Sequence, residues 1–428
     1  MLRWIFLIVI LFILEIYTFF AIRTLTKNKL ILIGFWVIVI FVYAVFFYQT
    51  TVAQKEGRFS LSTGYAIALL LTFSVPKLFV LAILFLEDIF RLFASLFNYF
   101  QHQNSNISEA IPSRRKFISQ VALGIAAIPF AGFIYGVFKG KYNFKLLKQT
   151  IYFDDLPDAF DGYQLTQISD IHSGSLDNKE KVAYAVDLIN EQKSDIILFT
   201  GDIVNSVAEE MNPWINSFKK LYATDGMYAV LGNHDYGYYA YRKEEEIAEN
   251  QKKIEEIHKA IGFDLLLNES RTIEKNDQKI NILGVENWGA SRHFPKRGSL
   301  KKATESVHDG EFNILMSHDP SHFDYKKQEL NKRDENKPDF ITEETNIIDF
   351  DKKIQLTLSG HTHGMQFGIE IPFLNLKWSP VKYRYHNWAG LYQQAEKYLY
   401  VNRGFGVLAF PGRVGIWPEI TVIELKKA

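Results

Sequence analysis

The sequence predicts an α/β (α+β) layered domain preceded by an N-terminal four-helix transmembrane region. Three observations predict it. Beyond about residue 150, short apolar runs alternate with longer helical patterns, as in sheets covered by helices. The first 140 residues hold most of the long apolar stretches of this 428-residue chain. Five small clusters of Asp, Asn and His each follow a strand-like run, as expected where strand ends converge on one site.

A helix needs about 20 apolar residues to cross roughly 30 Å of hydrocarbon. Residues 2–22, 30–48, 64–86 and 117–138 each approach that length, which assigns residues 1–138 to the membrane bilayer. Glu15 is the interior charge of the first span. Pro76-Lys77 interrupts the third, and Lys77 either snorkels or marks the junction of two shorter segments; one kinked span is the preferred reading. Glu87, Asp88 and Arg91 then suggest an amphipathic tail at the interface.

Orientation follows from Lys and Arg. Arg23, Lys27 and Lys29 lie between spans one and two, and Arg91, Arg114, Arg115 and Lys116 between spans three and four; these seven read as cytoplasmic. Arg3, Lys55 and Arg58 fall on the other side, and Lys139, Lys141 and Lys145 weaken the contrast. The expectation is a multi-pass protein of the cell (inner) membrane with its large domain on the periplasmic or extracellular side. Ser113-Arg114-Arg115-Lys116-Phe117-Ile118 resembles a twin-arginine export signal. Ordinary flanking charge explains it equally, and both readings export the domain.

Residues 139–150 read as a linker and 151–428 as the folded domain. Lys179–Gln192 and Arg242–Ile261 read as helices, the latter with Ile247, Ile254 and Ile257 inward. Ile280–Val285, Leu399–Asn402 and Ile420–Leu425 read as further strands, and polar Tyr325–Asp351 as an inserted surface loop. The chain carries 48 basic and 48 acidic residues, so no nucleic-acid partner is expected. It has no cysteine, which excludes disulfides and thiolate metal sites.

The clusters carry the chemistry. They read Asp170-Ile171-His172, Gly201-Asp202, Gly232-Asn233-His234-Asp235, Ser317-His318-Asp319 and Gly360-His361-Thr362-His363. Each follows a strand-like run: Tyr163–Ile168, Asp195–Phe199, Met227–Leu231, Phe312–Met316 and Ile354–Leu358. Imidazole, carboxylate and amide donors without thiolate suit divalent Mn, Fe or Zn. A single ion needs three or four ligands. Seven candidates, namely Asp170, His172, Asp202, Asn233, His318, His361 and His363, imply two ions.

The order Asp-x-His, Gly-Asp, Gly-Asn-His-Asp, His, Gly-His-x-His over Gln164–His363 resembles the calcineurin-like metallophosphoesterase superfamily. The resemblance covers roughly Ile151–Lys426 and implies a four-layer αββα sandwich with a dinuclear metal centre. Asp170, His172, Asp202 and His363 would hold one metal; Asp202, Asn233, His318 and His361 the other, with Asp202 giving an oxygen to each. His234 would serve the leaving group, and Asp235 would orient it by accepting a ring N–H or would cap the next helix. Asn205 stands where many relatives carry Asp and reads either as supporting the site residues without holding a metal or as turn-forming. His322 reads as surface; His102, His258, His293, His308 and His386 as structural or exposed.

The implied activity is hydrolysis of phosphodiester, phosphomonoester or pyrophosphate bonds by metal-activated hydroxide. Asn402-Arg403-Gly404 and Pro418-Glu419-Ile420-Thr421 extend the resemblance to a bacterial membrane-associated or twin-arginine-exported subgroup, similar to phosphodiesterases acting on lipid-linked or cell-envelope phosphates. Met365, where relatives often have Gly, should touch access to the site. The aromatics Trp378, Tyr383, Tyr385, Trp388 and Tyr392 form either a lipid-facing rim or ordinary packing, and Arg403 or Arg292 either contacts substrate phosphate or pairs at the surface. The competing functions are a protein phosphatase and a catalytically silent metal-binding receptor.

Overall fold

A computed structural model describes residues 2–56, 60–100, 111–291, 294–325, 346–371, 374 and 376–428. Arg58, His102, Arg292, His293 and residues 326–345 of the expected surface loop lie outside them. The chain separates into two units, Met1–Phe138 and Lys139–Ala428.

The first unit holds four helices: α1 (Leu2–Leu25), α2 (Lys29–Glu56), α3 (Leu61–Phe100) and α4 (Ile111–Phe138). Over Lys29–Lys55, Leu61–Phe97 and Arg114–Phe138 they are long and apolar enough to cross a membrane. Where the sequence predicts four spans, the described residues thus give three clear ones. The remaining helix, α1, packs Ala21 against Val80 and Leu84 of α3 and Ala122 and Ala126 of α4.

Pro76 does not end α3, which runs on past residue 86 through Phe100. Lys77 neither snorkels nor marks a junction. Its Nζ lies 2.7 Å from both carboxylate oxygens of Glu15, and Tyr43 donates its hydroxyl to Glu15 Oε1 at 2.8 Å. A charge without water needs such a partner, so one ionic group ties α1, α2 and α3 together. The Arg114-Arg115 pair is engaged within the unit as well. Arg115 lies 3.7 Å from Asp88, and Arg114 stacks over the Phe90 ring at 4.7 Å.

The second unit contains, in order, β1 (Lys145–Phe153), β2 (Gln164–Ile168), α5 (Lys179–Asn190), β3 (Ile196–Phe199), α6 (Ile215–Phe218), β4 (Met227–Ala229), α7 (Glu244–Ile261) and β5 (Asp264–Leu265). There follow β6 (Glu269–Lys275), β7 (Gln278–Gly284), α8 (Leu300–Ala303), β8 (Phe312–Met316), β9 (Leu356–Ser359), β10 (Ile369–Ile371), β11 (Leu376–Trp378), β12 (Gly390–Gln394), β13 (Lys397–Val401) and β14 (Glu419–Lys427). β1 begins inside the segment read as a linker from sequence and pairs along its full length with β14.

One six-stranded sheet has the order β1-β14-β2-β3-β4-β5, the other β12-β13-β9-β8-β7-β6. β2 to β5 are parallel to one another, as are β7, β8, β9 and β13. Parallel strands covered on both faces read as continuous apolar runs, which Ile196-Ile197-Leu198-Phe199 illustrates. Ile196 and Leu198 enter the core between the sheets with Phe312, Ile314, Met316, Leu356 and Leu358. Ile197 and Phe199 face the other way, onto Val182, Val186 and Ile189 of α5 and Ile254, Ile257 and Ile261 of α7. Leu283, Leu315 and Leu399 cover the far face of the second sheet with Leu300 and Ala303 of α8. The layers are therefore αββα. The carboxyl ends of β2, β3, β8 and β9, and the turn after β4, carry the five clusters.

Candidate metal centre

Five of the seven candidate ligands have left-handed backbones: Asp170 (φ 51°), His172 (φ 44°), Asp202 (φ 60°), His361 (φ 69°) and His363 (φ 50°). Such strain in non-glycine residues gathers where side chains must be re-aimed at a strand end. The neighbouring glycines permit the close approach. A Cβ on Gly360 would overlap Ser169 Oγ and Asp170 Oδ2, and one on Gly232 would overlap Asp202 Oδ1.

The side chains converge as two groups, Asp170–His172–His363 and Asp202–His318–His361, each with ligand atoms within 4.8 Å of one another. His363 Nε2 lies 3.2 Å from Asp170 Oδ1, and His318 Nε2 lies 3.1 Å from Asp202 Oδ2. That same Asp202 oxygen is 3.6 Å from His172 Nε2 in the first group. Asp202 Oδ1 instead accepts the backbone N–H of His234 at 2.8 Å. The sequence reading gave each ion its own Asp202 oxygen. The structure presents one oxygen to both groups, because the backbone has engaged the other.

Carbonyl oxygens fix the imidazole tautomers. His172 donates Nδ1–H to Val204 O at 3.1 Å, and His318 donates Nδ1–H to Thr200 O at 2.7 Å. A carbonyl can only accept, so Nδ1 carries a proton in each ring and Nε2 is the atom turned toward a cation. His361 is turned over: Nδ1 lies 3.3 Å from His318 Nε2, while Nε2 meets the Tyr385 hydroxyl at 2.9 Å. His363 Nδ1 lies 3.3 Å from Arg413 Nη2.

These residues fit divalent cations. Among the described residues, the buried His172 Nε2, His363 Nε2 and Asn233 Oδ1 have no hydrogen-bond partner. Buried polar atoms are almost always paired, so three orphaned donors of lone pairs at one place are the mark of a ligand site. Asn233 is aimed by Tyr239, whose hydroxyl accepts Asn233 Nδ2–H at 2.9 Å.

Charge in the site is strongly coupled. Burial works against ionised Asp202, yet His318 and His234 hold it well below the ordinary carboxylate range. Burial likewise opposes charge on His318, but the Asp202 carboxylate lifts it to about 10. His172 is pushed well below its ordinary value, by burial and then by His363. Asp202 thus favours a proton on His318, and a cation bound at His318 Nε2 would displace that proton and take over its attraction to the carboxylate.

Expectations for three further residues, Asp235, Arg403 and His322, are corrected. Asp235 does not accept a ring N–H from His234, nor does it cap a helix. Its buried carboxylate accepts the backbone N–H groups of Asp202 at 2.9 Å, Ile203 at 2.8 Å and Gly232 at 2.8 Å. With Val204 N–H at 3.4 Å, four residues of two strand-end loops present their amides together, and a carboxylate answers them better than a ring could. Burial and the Asp202 charge push Asp235 up to about 7. His234 is oriented instead by Asn205, whose carbonyl accepts Nδ1–H at 2.6 Å, and its ring lies 4.4 Å from that of Tyr239. Arg403 does not face substrate. It is buried between Glu419 and Glu370, the latter 2.8 Å away. His322 is buried rather than at the surface, bonded through Nδ1 to Ser317 Oγ at 2.9 Å and packed on Trp288.

Tyr239 and Arg413 are functional neighbours that the sequence reading missed, while Asn205, through its carbonyl, and Tyr385, through His361, take more specific places than that reading gave them. Tyr385 also lines a cavity of about 630 Å³ with Ser291, Ser321, Asp324, Arg384 and Asn387.

Comparison with known proteins agrees with this geometry. Residues 163–365 match the family described as "Calcineurin-like phosphoesterase", and residues 2–141 match "Probable Calcineurin-like phosphoesterase, transmembrane domain". The chain is 29% identical to the uncharacterized metallophosphoesterase YkuE of Bacillus subtilis over 73% of its own length and 98% of that protein. It is 27% identical to a transmembrane protein with metallophosphoesterase domain of Danio rerio, over 84% of this chain and 74% of the other. Identity to the phosphodiesterase YaeI of Escherichia coli is 23%, over 73% and 99% respectively. The fold, the paired ligand groups and these matches make the chain a calcineurin-like metallophosphoesterase with an N-terminal transmembrane domain.

Proposed function

We propose that the chain hydrolyses phosphodiester or pyrophosphate bonds of lipid-linked or cell-envelope substrates at a centre of two divalent cations. Asp170, His172 and His363 would hold one ion, Asn233, His318 and His361 the other, and Asp202 would serve both. The observation that carries this reading is the position of Asp202 Oδ2, 3.6 Å from His172 Nε2 and 3.1 Å from His318 Nε2. Cations bound there supply Lewis-acid polarisation of a phosphoryl oxygen and a water acidified toward neutral pH.

The protein's own residues do the positioning. Asp235 fixes the loop that aims Asp202. Thr200, Val204 and Tyr385 fix three imidazoles. Asn205 holds His234 Nδ1–H, which leaves Nε2 to exchange a proton with the departing oxygen. The cavity beside Tyr385 supports a substrate with a polar head group, because Ser291, Ser321, Asn387 and the exposed Arg384 offer donors there. The transmembrane domain supports a substrate that resides in the membrane, and the Lys and Arg distribution supports four spans in the inner membrane with the hydrolase unit outside the cytoplasm.

The test is turnover by the purified full chain on a chromogenic phosphodiester and a panel of envelope lipids and nucleotide-lipid pyrophosphates, with Mn²⁺, Fe²⁺ or Zn²⁺. Metal-dependent hydrolysis, faster on a lipid-linked substrate, is expected. Bound metal without turnover on any of them favours the silent receptor. Reporter fusions at Ala428 check the side of the membrane: activity of a cytoplasm-only reporter contradicts the external placement.

A further inference from the structure

The β10–β11 hairpin has its polarity reversed. Ile369 pairs with Trp378 and Ile371 with Leu376 across the two strands, while Glu370 pairs with Lys377 between them. Alternate residues of a strand face opposite sides, so one face is apolar and the other charged. The charged face makes the polar contacts with the rest of the domain, Glu370 half-buried and Lys377 exposed but reaching inward with its ammonium. Glu370 accepts from Arg403 Nη2 at 2.8 Å, and Lys377 donates to Ala389 O and lies 4.7 Å from the Trp388 ring centroid. Most of the apolar face is left outside, with Ile369 50%, Leu376 45% and Trp378 37% exposed and Ile371 half-buried. Leu374, Met365 and Tyr383 add further exposed apolar surface. An ordinary surface hairpin would point its charged residues outward and its isoleucines inward. Exposed apolar side chains gathered on one face of a hairpin mark a binding surface.

We infer that this hairpin docks onto the head-group and acyl boundary of the bilayer that holds the chain. Three features commit the patch to lipid. Only residues 139–144 join the membrane helix α4 to β1, a reach of about 20 Å at full extension. Trp378 and Tyr383 are amphipathic aromatics of the type enriched at membrane interfaces. Exposed Lys382 and Arg384 stand beside them, suited to anionic head groups. β10 follows the His363–Gln366 turn closely, so docking would bring the candidate metal centre to the level from which a lipid-linked phosphate is presented. Only this last point rests on the substrate class proposed above.

The absence of cysteine allows a clean test. The full chain carrying Leu376→Cys is spin-labelled and reconstituted into phosphatidylethanolamine–phosphatidylglycerol vesicles, with Tyr184→Cys on α5 as the exposed control. The Leu376 label should be relaxed by oxygen and shielded from a water-soluble nickel chelate, with the Tyr184 label showing the opposite preference. Equal nickel access at both positions overturns the inference. Protection of the Leu376 label from both relaxants means that protein covers the patch, which overturns it equally. In a second arm, the Leu374→Ser/Leu376→Ser variant should lose about tenfold in turnover on a vesicle-embedded phosphoester and none on the soluble chromogenic one. Equal loss on both contradicts lipid docking. The depth measurement needs no turnover, so failure of the proposed activity would show separately.

Discussion

Asp235 holds Asp202 through the backbone, accepting its N–H at 2.9 Å. The same carboxylate takes the amides of Ile203 and Gly232, so one buried side chain closes the two loops that present Asp202 and Asn233. A buried N–H left without an acceptor costs about 1–3 kcal/mol. Asp235→Ala should therefore destabilise the hydrolase unit by roughly 3–5 kcal/mol and reduce its bound metal. Asp235→Asn keeps one acceptor and should lose less of both. Thermal unfolding and metal analysis of the two purified variants check the order; an Asp235→Ala protein with native stability would contradict it.

His234 and Asp202 should separate in their consequences. His234 Nδ1 is bonded to the Asn205 carbonyl, and its role is proton exchange rather than ligation. His234→Ala is expected to keep its metal and lose about 10²–10⁴-fold in kcat. Asp202→Ala is expected to lose both metal and activity. Steady-state kinetics on a phosphodiester, with metal content measured in parallel, distinguish the two, and loss of metal in His234→Ala would reassign that residue as a ligand.

Tyr385 is expected to act through His361. Its hydroxyl lies 2.9 Å from His361 Nε2 and 3.4 Å from Asp319 Oδ2, which orients Nδ1 toward His318. Removing a hydrogen-bond partner of a ligating imidazole typically costs 10–100-fold in metal affinity. Tyr385→Phe should weaken one of two metal equivalents by about that factor in a competition titration with a chelator. Unchanged affinity of both equivalents would leave Tyr385 as a cavity wall alone.

Away from the site, His258 makes the hydrolase unit acid-sensitive. Its Nδ1 bonds to Ile254 O at 2.8 Å, and burial lowers it from its ordinary 6.5 to about 4. Between those values the unfolded chain binds the extra proton. The stabilisation is therefore complete above pH 6.5 and is lost as pH falls toward 4, by up to about 3 kcal/mol. Unfolding curves from pH 7.5 to 4 should show this slope, and His258→Leu should reduce it. Identical slopes would contradict the assignment.

The sequence exposed what depends on strand-end position. Asp170, His172, Asp202, His318, His361 and His363 each follow an apolar run, and the parallel strands bring those ends together. What joins residues across elements left no local pattern. Lys77 meets Glu15 from 62 positions away, Asp235 reaches backbone amides that any residue could offer, and Arg403 finds Glu370 33 positions upstream. His322 looked like surface because its partner, the Ser317 hydroxyl, carries no signal of its own. The hairpin was hidden for a different reason: Ile369, Ile371, Leu376 and Trp378 have the period of a buried strand, and only the contacts of Glu370 with Arg403 and of Lys377 with the Ala389 carbonyl show that the face is reversed.

The most direct test of the paired centre is electron paramagnetic resonance of the full chain loaded with Mn²⁺. Two ions held by ligand groups that share Asp202 should give an exchange-coupled spectrum at two equivalents per chain, replaced by weak or uncoupled binding in Asp202→Ala. A wild-type protein that binds Mn²⁺ tightly but shows only the isolated six-line signal would contradict the account.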